Sequence, residues 1–169
     1  MTNPSVPNEE KYVRPSWDEY FLKIMEAVSS RGTCDRGRSG CVIVKDKRIL
    51  STGYVGSPMG LPHCDEVGHE MHMVTTEDGK ESRHCIRTTH AEQNAIVQAA
   101  RIGVPLVDSV LYCNMTPCYV CAKMIINAGI KRVVARKDYH AGGRSKEILK
   151  EAGVQYDLVN NEVESYKDI

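Results

Sequence analysis

Two short stretches of the sequence carry residue types that can bind a metal ion. His90 is the first residue of one stretch, and Cys118 and Cys121 lie three residues apart in the other. One imidazole and two thiolates are ligands that zinc accepts, and three protein ligands leave the fourth tetrahedral position open to water. Glu92 follows the histidine by two residues and can move protons beside the metal without binding it. The spacing therefore predicts a hydrolytic zinc centre.

Each stretch alone has a less specific interpretation. A single CxxC pair is typical of structural zinc or of redox chemistry, and a histidine followed by Glu92 is almost uninformative. A closed structural site would need a fourth protein ligand and would have no use for the carboxylate. The combination of the two stretches favours catalysis.

The elements around the two stretches must bring them together. A helix is predicted to begin at His90 with Thr89 as its cap, and another runs over 118–127 after a strand at 109–113. Two such strand-to-helix junctions meet in one crevice at the carboxyl ends of parallel strands. The alternation of α and β units predicts a three-layer α/β/α fold with a mostly parallel, five-stranded mixed sheet.

The rest of the chain is predicted to form one domain, residues 16–169, preceded by a flexible segment, residues 1–15. Ser16 and Glu19 form a capping box for a first helix that ends near Ser30. The other predicted elements are a hairpin over 41–54, a long loop over 56–88, a strand over 130–135, a helix over 145–152 and a strand over 154–159.

Composition limits the classes of partner. Lys plus Arg and Asp plus Glu both number 22, so the chain lacks the basic excess of most nucleic-acid-binding proteins. No apolar run is long enough for a membrane span, and the N-terminus lacks the order of a signal peptide. We therefore expect a soluble, cytoplasmic protein that binds neither nucleic acid nor membrane. In a reducing compartment its seven cysteines are better explained as metal ligands or core thiols than as disulfides.

A second cluster of metal-binding residue types lies in the least apolar part of the chain. A structural zinc there would replace a missing core, and the alternative is a set of reduced cysteines and solvated histidines. The candidate ligands are Cys34, Cys64, His69, His84 and Cys85. Cys41 and Cys113 lie in apolar runs and are predicted to be buried core thiols.

Three arginines in the first glycine-rich loop form a basic cluster: Arg31, Arg36 and Arg38. They could hold nucleotide phosphates through paired hydrogen bonds, or they could form a solvated loop face.

Four segments together closely resemble deoxycytidylate (dCMP) deaminases of the bacterial and phage branch: 14–21, 53–66, 87–96 and 118–133. The H-x-E…P-C-x-x-C pattern is itself a signature of zinc nucleobase deaminases. The resemblance extends from about Arg14 to Tyr156 and implies a cytidine-deaminase-like fold with catalytic zinc. It also implies hydrolysis of dCMP to dUMP, which supplies dTMP synthesis, with Glu92 as the proton shuttle.

The same resemblance implies regulation and assembly. Family members are usually homohexamers that dCTP activates and dTTP inhibits, with Mg²⁺ bound to the effector triphosphate. By resemblance, the backbone around Ala91 and Thr116 faces the base, and Tyr139 closes over it. From the basic cluster, Arg38 is a further candidate substrate contact. The effector contacts, by the same resemblance, fall on Gly56, Ser57 and Asn94.

One residue departs from the family pattern. The usual motif is Gly-Tyr-Asn-Gly, but this chain has Val55 in place of the asparagine, and valine can neither donate nor accept a hydrogen bond with its side chain. By resemblance that asparagine bonds the sugar hydroxyl, so either another group takes over the contact, or the substrate or effector range is altered, or the chain is a variant of the usual enzyme. The alternative substrates are dCTP, free deoxycytidine and a tRNA adenosine, and the neutral charge disfavours tRNA. A non-catalytic zinc module that senses deoxynucleotides is a further alternative, which Glu92 disfavours.

Overall fold

The computed structural model describes residues 12–75, 79 and 81–164; most of the predicted flexible segment, residues 1–11, lies outside them. The helices are α1 (Trp17–Ser29), α2 (Cys64–Val67), α3 (Ala91–Ile102), α4 (Tyr119–Asn127) and α5 (Gly143–Glu151). The strands are β1 (Gly40–Lys45), β2 (Arg48–Tyr54), β3 (Met71–Thr75), β4 (Glu81–Cys85), β5 (Val110–Met115), β6 (Arg132–Tyr139), β7 (Gln155–Leu158) and β8 (Val163–Glu164). No helix among these residues is long and apolar enough to cross a membrane.

A mixed sheet forms the centre of the fold, with strand order β2-β1-β5-β6-β7. The strands β2, β1 and β5 are antiparallel, whereas β5, β6 and β7 are parallel. The short strand β8 pairs with the end of β6 at Asp138 and Tyr139. The predicted five-stranded mixed sheet is confirmed, and β8 was not predicted.

Alternate side chains of each central strand face opposite layers. On β1, Cys41 and Ile43 pack in the cluster that also contains residues of α3, α4 and α5, whereas Val42 and Val44 pack against α1. Period-two alternation is what a strand covered on both faces requires. Cys41 is paired with Cys113 on β5, and both are fully buried thiols. The three-layer α/β/α architecture is therefore the one predicted.

The start of α1 is fixed by side chains that the sequence identified. Ser16 Oγ accepts a hydrogen bond from the Glu19 amide at 3.2 Å, and the Glu19 carboxylate accepts one from the Ser16 amide at 2.7 Å. Arg132 on β6 then ties the helix to the sheet, since it donates to Asp18 at 2.8 and 2.9 Å and to Asp157 at 2.6 Å.

Two local predictions were wrong. The predicted loop over 56–88 contains α2 and the hairpin β3–β4, whose side chains are all exposed or half-buried and so show no apolar alternation. Thr89 does not cap α3; the cap residue is His90. Thr89 is instead paired with Gly56 through two backbone hydrogen bonds, of 2.9 and 3.2 Å, which places its backbone in a bridge rather than at the helix start.

Gly53 on β2 permits α3 to lie unusually close to the sheet. A Cβ atom at this position would lie 2.3 Å from the Ala91 carbonyl oxygen and 2.4 Å from the Ala95 nitrogen. Both are backbone atoms, so they cannot move aside without moving the helix. The close approach fixes the N-terminal end of α3, where His90 and Glu92 lie.

We expect Gly53→Ala to lower the free energy of unfolding by about 1–3 kcal/mol, because the new methyl group would overpack the junction of β2 and α3. Urea denaturation of the purified protein measures this change. Gly143→Ala is the matched control, since a Cβ at Gly143 meets nothing within 4 Å. Equal stability of the two variants would contradict the close packing described for α3.

Candidate functional site

The two stretches that the sequence singled out meet at the N-terminal ends of α3 and α4. His90 is the cap residue of α3, and Cys118 is the cap residue of α4. The His90 Nδ1 atom lies 3.4 Å from Cys118 Sγ and 3.5 Å from Cys121 Sγ. The three potential ligand atoms all lie within 4.8 Å of one another. We refer to these three residues as the first metal group.

The geometry of the first metal group fits zinc. Ligand atoms about 2.0–2.3 Å from a tetrahedral ion lie about 3.5–3.8 Å apart, close to the separations found here. The set of two sulfurs and one nitrogen is a three-ligand set that leaves a fourth coordination position for water. His90, Cys118 and Cys121 could therefore hold a catalytic zinc ion.

Hydrogen bonds within the first metal group favour the thiolate form of one cysteine. Hydrogen bonds from Cys121 and His90 lower the pKa of Cys118 to about 4, although burial opposes the change. The hydrogen bond to Cys118 raises the pKa of His90 to about 9. Because a metal ligand must be a thiolate or a neutral imidazole, zinc binding would release a proton from this group.

Glu92 lies beside the first metal group without belonging to it. Its carboxylate is 3.7 Å from Cys121 Sγ, and the residue is only 8% exposed. Burial raises the pKa of Glu92 above the usual range of a glutamate. A carboxyl group with a raised pKa can both accept and return a proton near neutral pH, as a proton shuttle requires.

A cavity of about 230 Å³ opens beside the first metal group. His90, Glu92 and Cys118 form part of its wall. Thr116, Tyr119, Val120, Tyr139 and Ala141 complete the wall on the side of β5, β6 and α4. A small ligand in this cavity would lie next to His90, Glu92 and Cys118.

Hydrogen bonds hold Thr116 and Tyr139 in the cavity wall. Thr116 Oγ1 donates to Asp138 at 2.7 Å and accepts from the Tyr156 hydroxyl at 2.8 Å. The Tyr139 amide donates to the same Asp138 oxygen at 2.8 Å. Burial would raise the pKa of Asp138, but hydrogen bonds from Lys146 and Thr116 hold it below its usual value. Asp138 thus stays charged and organises this wall.

The other two predicted substrate contacts are not among the residues that line the cavity. Ala91 is buried, and its carbonyl oxygen faces Gly53. Arg38 donates to the Gly32 carbonyl and to both oxygens of Asp65, at 3.3 Å each. Arg36 lines the cavity instead and is only 8% exposed. Its guanidinium donates to Met71 Sδ at 2.9 Å and to the Arg83 carbonyl at 3.3 Å. The sequence placed both arginines in one basic loop and could not tell which of them lines the cavity.

The three predicted effector contacts lie together beside the cavity rather than in its wall. Gly56 forms the backbone bridge to Thr89, and Asn94 Nδ2 donates to the Tyr54 carbonyl at 2.8 Å. Ser57 Oγ is buried without a hydrogen-bond partner among the described residues. These residues join the end of β2 to the start of α3.

Val55, the residue that departs from the family pattern, lies between the cavity and the loop cysteines. It is 7% exposed, lines the cavity and packs with Cys34 and Cys64. Its neighbours on the loop side are the buried side chains of Cys34 and Cys64, and a valine packs against them.

A second group of metal-binding side chains forms under the long loop. Cys64 Sγ lies 3.6 Å from Cys85 Sγ, and Cys34 Sγ lies 3.6 Å from His69 Nδ1. All four ligand atoms lie within 4.8 Å of one another. We refer to Cys34, Cys64, His69 and Cys85 as the second metal group. Three sulfurs and one nitrogen form a closed set typical of structural zinc.

His84, also predicted as a ligand, does not lie in the second metal group. Its Nε2 atom is 2.7 Å from Ser82 Oγ, and the residue lines the cavity. Adjacent residues of a strand point to opposite faces, so His84 and Cys85 cannot both aim at one ion. Recognition of β4 in the sequence would have excluded one of the pair.

Comparison with known proteins points to one family. Residues 15–137 match the family model described as the cytidine and deoxycytidylate deaminase zinc-binding region. A deoxycytidylate deaminase of Schizosaccharomyces pombe is 38% identical over 142 residues, which are 84% of this chain. The chain spans only 44% of that relative's length.

Phage proteins match over nearly their whole length. A deoxycytidylate deaminase of Mycobacterium phage D29 is 37% identical over 74% of this chain and 98% of its own. The crystal structure of the dCMP deaminase of cyanophage S-TIM5, in complex with dCMP and dUMP, superimposes with a TM-score of 0.70 at 32% identity. That match covers 87% of this chain and 99% of the phage chain.

We predict about two zinc ions per chain in the purified protein, one for each metal group. Cys34→Ser should reduce the content to about one, because it removes a ligand of the second metal group only. Elemental analysis of the protein measures the content. Cys41→Ala is the control, since this buried cysteine belongs to neither group. A content of about one ion that Cys34→Ser leaves unchanged would contradict the second site.

Proposed function

The chain belongs to the cytidine and deoxycytidylate deaminase family, and from this membership we propose that it hydrolyses dCMP to dUMP and ammonia. The observation that carries the proposal is the buried carboxylate of Glu92 beside a three-ligand metal group that faces a cavity. A binding module would need neither the open coordination position nor the carboxylate. The cyanophage structure with dCMP and dUMP supports this choice of substrate.

The reaction exchanges the exocyclic amine at C4 of cytosine for an oxygen atom of water. Zinc, when bound by the first metal group, supplies an acidified water as nucleophile near neutral pH. Glu92 accepts a proton from the attacking water and delivers one to N3 of the ring. It then takes the remaining proton of that water from the new hydroxyl group at C4 and delivers it to the exocyclic amine. The amine departs as ammonia while C4 becomes the carbonyl carbon of uracil.

The cavity wall orients the base for this proton transfer. Thr116 and Tyr139 are fixed by Asp138, so this part of the wall does not need to rearrange when the substrate binds. Fixed positioning of both reactants removes much of the entropic cost of bringing them together. Arg36, at another part of the wall, offers a positive charge to an anionic substrate.

Regulation and assembly form the finer part of the proposal. The enzyme binds dCTP as activator and dTTP as inhibitor with Mg²⁺, at the junction that contains Gly56, Ser57 and Asn94. It acts in the cytoplasm as a homo-oligomer, a hexamer by resemblance. Exposed apolar side chains on α3 and in the loop before α2 support assembly, since exposed apolar surface of this kind marks interfaces. They are Met59, Leu61, Val97 and Ile102, each more than half exposed.

Glu92→Gln should lower kcat by about 10²–10⁴-fold while zinc content stays at the wild-type value, because the amide cannot shuttle a proton. Loss of cytosine absorbance with dCMP measures the rate. Glu147→Gln makes the same chemical change on the surface, where the carboxylate pairs only with Arg144 among the described residues. A near-normal rate for Glu92→Gln would exclude Glu92 as the shuttle.

A substrate panel tests the choice of nucleotide. We expect zinc-loaded protein to deaminate dCMP with a higher kcat/KM than dCTP or deoxycytidine. Addition of dCTP with Mg²⁺ should raise the rate, and dTTP should lower it. A preference for dCTP or deoxycytidine would reassign the substrate, whereas deamination of none of the three would favour a sensing module.

A further inference from the structure

The histidine of the second metal group also contacts a carboxylate on the side of its ring away from the group. His69 presents Nδ1 to the group, 3.6 Å from Cys34 Sγ. Its other ring nitrogen, Nε2, lies 3.0 Å from Asp35 Oδ1. The imidazole therefore bridges the group and a carboxylate that follows a ligand cysteine directly in the sequence.

This contact fixes how the ring can bind a metal. An ionised carboxylate only accepts hydrogen bonds, so the shared proton lies on Nε2. In a neutral imidazole the other nitrogen then carries the lone pair, and that nitrogen is Nδ1, which faces the three sulfurs. The hydrogen bond also restrains rotation of the ring about its Cβ–Cγ bond. Both effects prepare the ligand before a metal arrives.

We propose that Asp35 is a positioning residue of the second metal site, which orients His69 and raises the zinc affinity of that site. Carboxylate partners of this kind strengthen metal binding by about 10–100-fold in other zinc proteins. Asp35 does not lie within the metal group itself, and its side chain is 54% exposed. Its effect therefore passes through His69.

The chain contains a matched comparison for Asp35. Asp65 follows the ligand Cys64 just as Asp35 follows Cys34, and its side chain is similarly exposed, at 40%. Its carboxylate is paired with Arg38 at 3.3 Å rather than with a ligand. Removal of either aspartate changes the net charge equally, but only removal of Asp35 affects a histidine of the group.

The test measures zinc transfer from the intact protein to a chromophoric chelator. The Cys34→Ser protein keeps only the first metal group. Comparison with it shows which kinetic phase of the zinc transfer comes from the second metal group. We expect Asp35→Ala to weaken zinc binding in that phase by about 10–100-fold. Asp35→Asn should lose less, because its amide oxygen can still accept the hydrogen bond, and Asp65→Ala should resemble wild type. Equal effects of Asp35→Ala and Asp65→Ala would overturn the proposal.

A double-mutant comparison separates orientation of His69 from a general effect on folding. In a His69→Cys background the fourth ligand is a thiolate that needs no hydrogen-bond partner, so Asp35→Ala should no longer weaken zinc binding. A loss of the same size in both backgrounds would overturn the role of His69. A wild-type content of one zinc ion would overturn the second site itself, and neither result bears on the dCMP assay of the proposed function.

Discussion

The site depends on the close approach of two helix N-termini. His90 and Cys118 are the cap residues of α3 and α4, and their ligand atoms lie 3.4 Å apart. That contact exists because Gly53 lets α3 lie against β2 and because β5 ends at Met115, only three residues before Cys118. The core that supports both helices is the apolar layer between the sheet and α3, α4 and α5. The apolar core therefore positions the same two helix ends that carry the candidate metal ligands.

A metal ion bound by the second metal group would stabilise the long loop as an apolar core stabilises the sheet. The hairpin β3–β4 contributes little buried apolar surface, and the small cluster beneath it consists of Cys34, Val55 and Cys64, with Cys85 packed against them. Cys34 and Cys85 also line the cavity that Glu92 faces. A metal ion there would fix one part of the wall of the proposed substrate site, and Asp138 organises another part.

Much of the fold and of the first metal group could be predicted because their signals are local. The capping box at Ser16, the alternating apolar residues of β1 and the spacing of Cys118 and Cys121 each express a short-range rule. The hairpin β3–β4 was missed because its strands are held by backbone pairing and by candidate metal ligands, with no apolar alternation to show them.

The remaining site residues depend on orientation, which a sequence does not contain. Arg36 and Arg38 are two positions apart in one loop, yet Arg36 lines the cavity and Arg38 turns to Asp65. The pairing of Asp35 with His69 joins residues far apart in the chain and follows no motif. Such contacts form only when the loop is folded with its candidate metal ligands brought together.

The most direct test of the proposed deamination uses zinc-loaded protein and dCMP in water enriched in oxygen-18. The mechanism predicts dUMP that carries one heavy oxygen at C4 and an equal amount of ammonia, since the new carbonyl oxygen comes from water. Unchanged dCMP in the presence of protein that retains its zinc would contradict the hydrolytic role of the first metal group and Glu92.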